Sequence, residues 1–562
     1  MKKIFLASFA FSSLIAMAIV FNYPPSAPKV FIPKSMLIFP KGSTYEKEWK
    51  KVDSLTNKGL TASALKVVEG IYTKAKTDNN PPQIVKSVIH RIKLEAYMEE
   101  YSVQKSIDKL NAEIKDSKYP LTPVLHSVLA EMYWQYYQNN RWKFQNRTQT
   151  VNFKMDDLNT WDLKTIVDQT MKQHQLSLRD VDSLKRTALN LYDDVLTHDD
   201  YNLKGKPAPQ RKLRASLYDF LAHRAVDFYI NEEPDIIKPA FKFELNSESY
   251  FWSYEAFAKL KIENKDSLSL KFYGIKLLQD LISFHSNDGN PEALIDVDLK
   301  RLQFVKRKSV LEIKDSLYLH ALQNLEKKFL SNPASTEISY EIAQAYDEKG
   351  SKYQPLAGDE NNPDSYREGK KTALAICEEA IKRFPDSYGA NNCKYLQSLI
   401  KTKSLTFNVE EASLPNKPFR TRVQYNNLTK IYLRVIKQDA DKFNKDIENY
   451  YGEKLIKKFL SAEVVKEWSV DLPNNGDYQS HSVEIKVDGL PLGHYVLLAG
   501  SDKSFTYEKN GVAYGNYFVT ELSYVQRRTD EGGYDLTVMH REKGNPLKIV
   551  SAELWYQDYN YT

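Results

Sequence analysis

The sequence predicts a multidomain protein in which a helical N-terminal region precedes an antiparallel β region. Apolar residues recur at helical spacing up to about residue 402 and at alternate positions after Lys403. Glycine usage changes at the same place, because ten of the 20 glycines fall in residues 1–400 and ten in the last 162 residues. A chain of 562 residues is long enough for several domains, each with its own core.

The composition excludes several classes of protein. The 79 Lys and Arg residues against 73 Asp and Glu give a net charge of +6, which is too dilute for a dedicated nucleic-acid binder. A hydrophobic fraction of 42% with 27% charged residues is typical of globular domains and too apolar for a disordered chain. We therefore expect folded domains and no nucleic-acid partner.

The N-terminus has the pattern of an export signal. Lys2 and Lys3 precede an uncharged run from Ile4 to Phe21, which contains the small residues of an Ala-Met-Ala cleavage site. We predict a signal peptide over residues 1–18, cleaved after Ala18, and a linker over residues 19–43.

An uncleaved anchor is the alternative, because the run is about long enough to cross a bilayer. In both cases the body of the protein is exported to the periplasm or cell envelope. No cysteine lies near the cleavage site, so membrane attachment is expected only through an uncleaved N-terminal segment.

Residues 44–402 are predicted to form an irregular, tetratricopeptide-like helical solenoid. Near its start, Trp49, Val52 and Leu55 recur at three-residue steps, and Gly59 stands where a helix would end. The clearest repeat unit combines a helix bearing Ala343, Tyr346 and Gly350 with a second helix bearing Ala373, Cys377 and Ala380 and closed by Pro385.

Residues 403–519 are predicted to form a β-sandwich with a helical insertion. Ile431, Leu433 and Val435 lie at alternate positions, and so do the apolar residues of SVEIKVDG. Between these strands, DKFNKDIENYYGEKLIKKFL has a helical pattern. Residues 520–562 contain further strand text and are predicted to be an incomplete second sandwich, with an unpaired apolar face.

No catalytic constellation is found in the sequence. HExxH, G-x-S-x-G, Walker-type, G-x-G-x-x-G and C-x-x-C patterns are all missing, and the ten histidines are scattered. Ser63 and Lys66 fit S-x-x-K, but the partner motifs of penicillin-recognising enzymes are missing. We predict no enzymatic activity, no catalytic residue, no metal and no cofactor.

One aromatic segment is a candidate interaction surface. In EMYWQYYQNNRWKFQNRT, Tyr136, Trp142 and Phe144 lie close in sequence to Arg141, and such a group can stack on sugars or on a partner's cations. The alternative is packing between helices, which the spacing of the tyrosines favours, with NNRWKF as an exposed loop.

Cys377 and Cys393 are the 2 cysteines of the chain. A disulfide between them is one interpretation in an oxidising compartment. The helical spacing around Cys377 favours the other, in which both behave as small apolar side chains.

Several segments together resemble the N-terminal part of the large alpha-2-macroglobulin-like proteins of Bacteroidota. They are the Lys-Lys export signal, YEKEWKKVDSLTNKGLTASALKVVEGIYTKAK, LHSVLAEMYWQYYQNNRWKFQNRT and LPLGHYVLLAG. The resemblance implies an exported endopeptidase inhibitor of the bait-and-trap type, with proteases or envelope proteins as partners.

The chain departs from that family in two respects. The family's thioester forms in a C-x-E-Q segment, whereas the cysteines here begin CEEA and CKYL. The family members are also much longer, so we expect this chain to be their non-enzymatic N-terminal portion, without thioester or bait region. The alternative function is a glycan- or peptide-binding helical module of the cell envelope, although the lipid-anchoring cysteine typical of such receptors is missing.

Overall fold

The fold comes from a computed structural model. It describes residues 43–98, 102–145, 156–193, 196, 212–231, 242–266, 269–354, 363–507 and 511–551. The predicted signal peptide, its cleavage site at Ala18 and nearly all of the predicted linker lie outside these residues. The chain divides into two compact units between Ile338 and Ser339.

The described part of the first unit is helical. Its α-helices are α1 (Tyr45–Asn57), α2 (Thr61–Thr77), α3 (Pro81–Ala96), α4 (Ser102–Asp116), α5 (Leu121–Asn139), α6 (Arg141–Gln145), α7 (Leu163–Ser177), α8 (Val181–Arg186), α9 (Leu217–Tyr229), α10 (Tyr254–Ala258), α11 (Leu270–His285), α12 (Pro291–Lys308) and α13 (Lys314–Phe329). Three 3₁₀ helices cover Leu158–Thr160, Leu189–Tyr192 and Glu248–Phe251.

Local sequence signals set the ends of these helices. Asn80 and Asn290 each cap a helix that begins with proline, and each side chain accepts a hydrogen bond from a backbone N–H of the first turn. Ser216 and Asp219 form a reciprocal capping box at the start of α9. Gly59, with φ of +71°, makes the turn between α1 and α2.

The first helices pack through the residues that the sequence singles out. Trp49 and Val52 of α1 join Ala64, Val68 and Ile71 of α2 in one buried cluster. Leu55, the third residue of the predicted stripe, is only partly buried at the margin of that cluster. The three-residue spacing therefore identified the inner face of α1.

The second unit begins within α14 (Ser335–Gly350) and continues through α15 (Asp364–Arg367), α16 (Gly369–Arg383) and α17 (Tyr388–Ile400). α14 and α16 touch through their glycines, since a Cβ built on Gly369 would lie 2.6 Å from the backbone nitrogen of Gly350. α16 ends two residues before Pro385. These helices are the pair that the repeat spacing predicts.

Strands follow the helices, as the sequence predicts. They are β1 (Ser404–Asn408), β2 (Ala412–Ser413), β3 (Phe419–Asn426), β4 (Lys430–Lys437), β5 (Val464–Asp471), β6 (Ser480–Val487), β7 (Gly493–Gly500), β8 (Val512–Val519), β9 (Leu522–Arg528) and β10 (Tyr534–His540). Between β4 and β5 lie α18 (Ala440–Asn449) and α19 (Gly452–Leu460), within the segment predicted as a helical insertion.

The strands form three sheets, with orders β1-β3-β6, β2-β8-β7-β4-β5 and β10-β9. β2 pairs with β8 in parallel, and the other pairings are antiparallel. The first two sheets share one hydrophobic core, to which Val423 and Ile485 contribute from one sheet and Leu433 and Leu497 from the other. Because these residues alternate with outward-facing ones on β3 and β4, the period of two determined which face is buried.

β7 is an exception to this alternation, because nearly all of its residues are buried. Its second face is covered by the insertion: Phe443 of α18 and Phe459 of α19 pack against Val496 and Leu498. The apolar run in HYVLLAG is therefore a strand enclosed on both sides.

The compact unit begins earlier than the change in secondary structure. The sequence places a domain boundary at residues 402 and 403, whereas α15–α17 belong to the same unit as the sheets. The loop between β5 and β6 makes this connection, because the Gln479 amide donates hydrogen bonds to the carbonyls of Tyr366 and Arg367 at 2.9 and 3.1 Å. Tyr478 packs against the helical cluster beside them.

Candidate functional site

The aromatic segment singled out in the sequence is mostly part of the core. Phe144 on α6 is 3% exposed, and its ring packs edge-on against Tyr137 and Tyr136 of α5, with centroids 5.5 and 6.1 Å apart. Tyr136 also donates a hydrogen bond to Asn159 at 3.4 Å. Phe144 cannot serve as the exposed contact residue proposed from the sequence, since α6 directs it back onto α5.

Arg141 and Trp142 of that segment are exposed. The Trp142 side chain is 66% exposed, and the Lys143 ammonium lies 5.4 Å from the centre of its ring. NNRWKF was predicted as a loop, but it is largely helical, because Asn139 ends α5 and Arg141–Phe144 lie in α6. The predicted interaction surface is thus reduced to one exposed aromatic side chain beside basic residues.

A second aromatic site, which was not predicted from the sequence, lies in the first unit. A cavity of about 480 Å³ opens between the 3₁₀ helix Glu248–Phe251, α10, α12 and α13. Its walls include Trp252, Tyr254, Glu255, His320, Asn324 and Lys328. We call this cavity the Trp252 cleft.

The floor of the Trp252 cleft is held by a buried ion pair. Arg301 contacts one carboxylate oxygen of Asp298 through Nε and Nη2, both at 2.7 Å. Its guanidinium also donates to the main-chain carbonyls of Tyr250 and Trp252, at 2.5 and 3.0 Å, and lies 4.5 Å from the ring centre of Phe257. Arg301 thereby fixes the backbone that carries Trp252.

The mouth of the cleft carries a second ion pair. Lys328 of α13 contacts Glu255 of α10, and its ammonium lies 4.4 Å from the centre of the Tyr254 ring. Trp252 is 52% exposed beside them. A flat apolar ring face next to polar side chains is suited to a sugar ring or an apolar side chain of a peptide.

Burial raises the pKa of the Asp298 carboxyl, and the charge of Arg301 and its hydrogen bond oppose that shift. Because the carboxylate is already engaged by Arg301, its role here is to hold the floor of the cleft. The arrangement is suited to binding a ligand.

A separate polar cluster is buried between α9 and α11. The His285 ring contacts Asp219 Oδ1 at 3.2 Å through Nε2 and Asp288 Oδ2 at 2.7 Å through Nδ1. Burial acts to lower the pKa of His285, but hydrogen bonds to both carboxylates and their charges outweigh it, and the net shift is upward. Because Asp219 also closes the capping box of Ser216, this histidine anchors the start of α9.

In the described ranges, no group of three His, Cys, Asp or Glu side chains could hold a metal ion. Ser63 lies exposed on α2, outside the cleft. No helix in the described part of the chain is long and apolar enough to span a membrane.

The sequence contains one signal for the cleft. FWSYEAF, from Phe251 to Phe257, is as dense in aromatic residues as the segment around Trp142. Arg301 and Lys328 lie far along the chain from it, and only the packing of α12 and α13 brings them to this site.

Comparison with known proteins adds little. No family model matches the chain, and no curated protein matches it. Among solved structures, the CARDB domain of a Pyrococcus furiosus protein, crystallised with di-metal ions, aligns with 21% of this chain and 94% of its own length. Sequence identity is 15% and the TM-score is 0.13, which is too low to establish a common fold.

Proposed function

We propose that this chain is the non-enzymatic N-terminal part of an exported alpha-2-macroglobulin-like endopeptidase inhibitor of the bait-and-trap type. In this proposal, residues 44–402 form a tetratricopeptide-like solenoid that meets proteases or envelope proteins. Residues 403–519 are the first macroglobulin-type sandwich, and residues 520–562 belong to a second one.

The observation that carries the proposal is the shared core of the first two sheets. A three-stranded and a five-stranded sheet enclose one set of alternating apolar residues, which is the arrangement expected of a sandwich domain. The helical pair in contact at Gly350 and Gly369 supports the solenoid interpretation of the region before it.

The hairpin of β9 and β10 supports a second domain. Leu522, Val525, Tyr534 and Leu536 are each about half exposed, at 51%, 56%, 59% and 46%. Apolar side chains on a two-stranded sheet need another layer to cover them. We propose that further macroglobulin strands supply that layer.

A protease-protection assay on the product of the full reading frame tests the proposal. A broad-specificity endopeptidase is mixed with the protein, and hydrolysis of a large protein substrate and of a small chromogenic peptide is followed. Trapping predicts that cleavage of the large substrate is blocked while the small substrate is still hydrolysed. Equal inhibition of both substrates, inhibition of neither, or a stop codon directly after codon 562 would contradict it.

Residues 1–562 alone are the matched control for this assay. Neither cysteine lies in a C-x-E-Q segment, and both are buried between helices, so no thioester is expected in this portion. The control should inhibit cleavage of neither substrate.

The Trp252 cleft favours a second candidate function, the binding of an envelope glycan or peptide. Wild-type protein would be titrated with polysaccharides and peptides while tryptophan fluorescence is recorded. Binding in the cleft predicts a response that is lost in Trp252→Ala and retained in Trp142→Ala, the matched exposed tryptophan. A response lost only in Trp142→Ala would move the site to α6, and no response to any ligand would remove this function.

A further inference from the structure

Cys377 of α16 and Cys393 of α17 lie side by side, although 15 residues separate them in the sequence. Each is 0% exposed. They belong to one cluster with Ala343, Ala373 and Ala380, whose small side chains let the helices approach closely. A side-chain hydrogen bond joins the two thiols, so each sulfur is the immediate neighbour of the other.

We propose that Cys377 and Cys393 are a disulfide-forming pair, oxidised while the protein folds outside the cytoplasm, and that the bond links α16 to α17. The proposal depends on the proposed export only for its oxidant, and it does not depend on protease inhibition. Its chemical partner is the disulfide of an exported thiol–disulfide oxidoreductase.

The reaction consists of two exchange steps. The thiolate of one cysteine attacks the oxidoreductase disulfide, which forms a mixed disulfide and releases one oxidoreductase thiolate. The thiolate of the second cysteine then attacks the sulfur of the first and displaces the other oxidoreductase thiolate. The two cysteines lose two protons and two electrons, and the oxidoreductase disulfide is reduced to a dithiol.

The folded structure indicates that the disulfide forms before α16 and α17 pack. The hydrogen bond to Cys393 and burial both raise the pKa of the Cys377 thiol, so little reactive thiolate exists after folding. The sulfurs are also inaccessible to a protein oxidant once α16 and α17 have packed. Oxidation therefore precedes the closure of this helix pair, and a chain that folds reduced is expected to stay reduced.

The bond would close a short loop between neighbouring helices. α16 ends at Arg383 and α17 begins at Tyr388, capped by Ser387, so the turn between them is already compact in the folded protein. Linking the helices acts mainly on the unfolded chain, whose freedom it restricts. The expected effect is therefore on stability, with little change of fold.

The direct test is a mass measurement on the full chain. The protein is matured in an oxidising compartment, denatured without reductant and alkylated, and a second sample is reduced first. We expect alkylation only after reduction, and a peptide map that links the segments carrying Cys377 and Cys393. Two alkylated thiols without reduction, or a link between two chains, would overturn the proposal.

A second test measures thermal stability in the full wild-type chain. Reduction should lower the midpoint of thermal unfolding of the second unit by about 5–10 °C. Reductant should have no effect on Cys377→Ala/Cys393→Ala, and a similar effect on this variant would contradict the proposal. Oxidant should form the bond when added to unfolded chain and act at least tenfold more slowly on folded, reduced chain; equal rates would contradict the proposed order of events.

Discussion

Arg301 and Asp298, three positions apart on α12, form an ion pair from which water is almost excluded. Their side chains are 1% and 2% exposed, and the shortest contacts measure 2.7 Å. The guanidinium also donates to the carbonyls of Tyr250 and Trp252, so one arginine neutralises a buried carboxylate and also holds a loop.

Replacing Arg301 with Met should destabilise the first unit by about 3–5 kcal/mol, because it leaves the Asp298 carboxylate buried without its partner. Urea unfolding followed by tryptophan fluorescence measures the change. The control Asp298→Leu/Arg301→Met removes the buried carboxylate as well. We expect it to lose less unfolding free energy than the single variant loses. A single variant within about 1 kcal/mol of wild type would show that the ion pair does not secure the floor of the cleft.

The stabilising contribution of His285 to the first unit should decrease as pH rises. Its pKa is raised above 6.5 in the folded protein, so its contribution is complete below that value and is lost as pH rises through the folded pKa. The unfolding free energy of wild type minus that of His285→Gln should therefore shrink as pH rises above 6.5. A difference that grows with pH, or does not change, would contradict this assignment.

His174 should have the opposite effect. Burial, assisted by the charge of Arg224, lowers its pKa to about 3. Below the ordinary pKa of 6.5, the unfolded chain binds a proton at this histidine that the folded chain does not bind. The contribution of His174 to the unfolding free energy should therefore fall by about 1.4 kcal/mol for each unit by which the pH is lowered between 6.5 and about 3.

His174→Phe tests this assignment, because the new ring can keep the packing against Phe228, whose centroid lies 5.3 Å from that of the histidine. The acid-induced loss of stability should be smaller in the variant than in wild type. Equal slopes for wild type and His174→Phe would exclude His174 as the origin of the acid sensitivity.

Replacing Gly369 with Ala should separate α14 from α16. The new Cβ would lie 2.6 Å from the Gly350 nitrogen and 2.7 Å from its Cα, and these backbone atoms cannot move as a flexible side chain could. We expect a destabilisation of about 1–3 kcal/mol in thermal or urea unfolding of the second unit. Gly533→Ala, whose Cβ would meet only the Thr529 hydroxyl at 3.3 Å, should be close to neutral. Equal effects of the two substitutions would mean that the glycine contact is not tight.

The sequence predicted the elements whose patterns are local. The helical stripe at Trp49 and Val52, the alternation at Leu433 and Val435, and the insertion between β4 and β5 all depend on spacing within one element. The burial of Phe144 could not be predicted in this way. Its burial depends on the direction in which α6 turns after α5, which short-range periodicity does not encode.

What the sequence by itself determined was the order of secondary structure, helices first and strands after Lys403, because hydrophobic period and glycine usage act over neighbouring residues. Only the tertiary structure decided which distant side chains meet. It joined Arg301 to the loop of Trp252, set Cys377 beside Cys393, and assigned α15–α17 to the compact unit of the sheets. These relationships depend on how whole helices pack, and their energy is shared among residues that no local pattern connects.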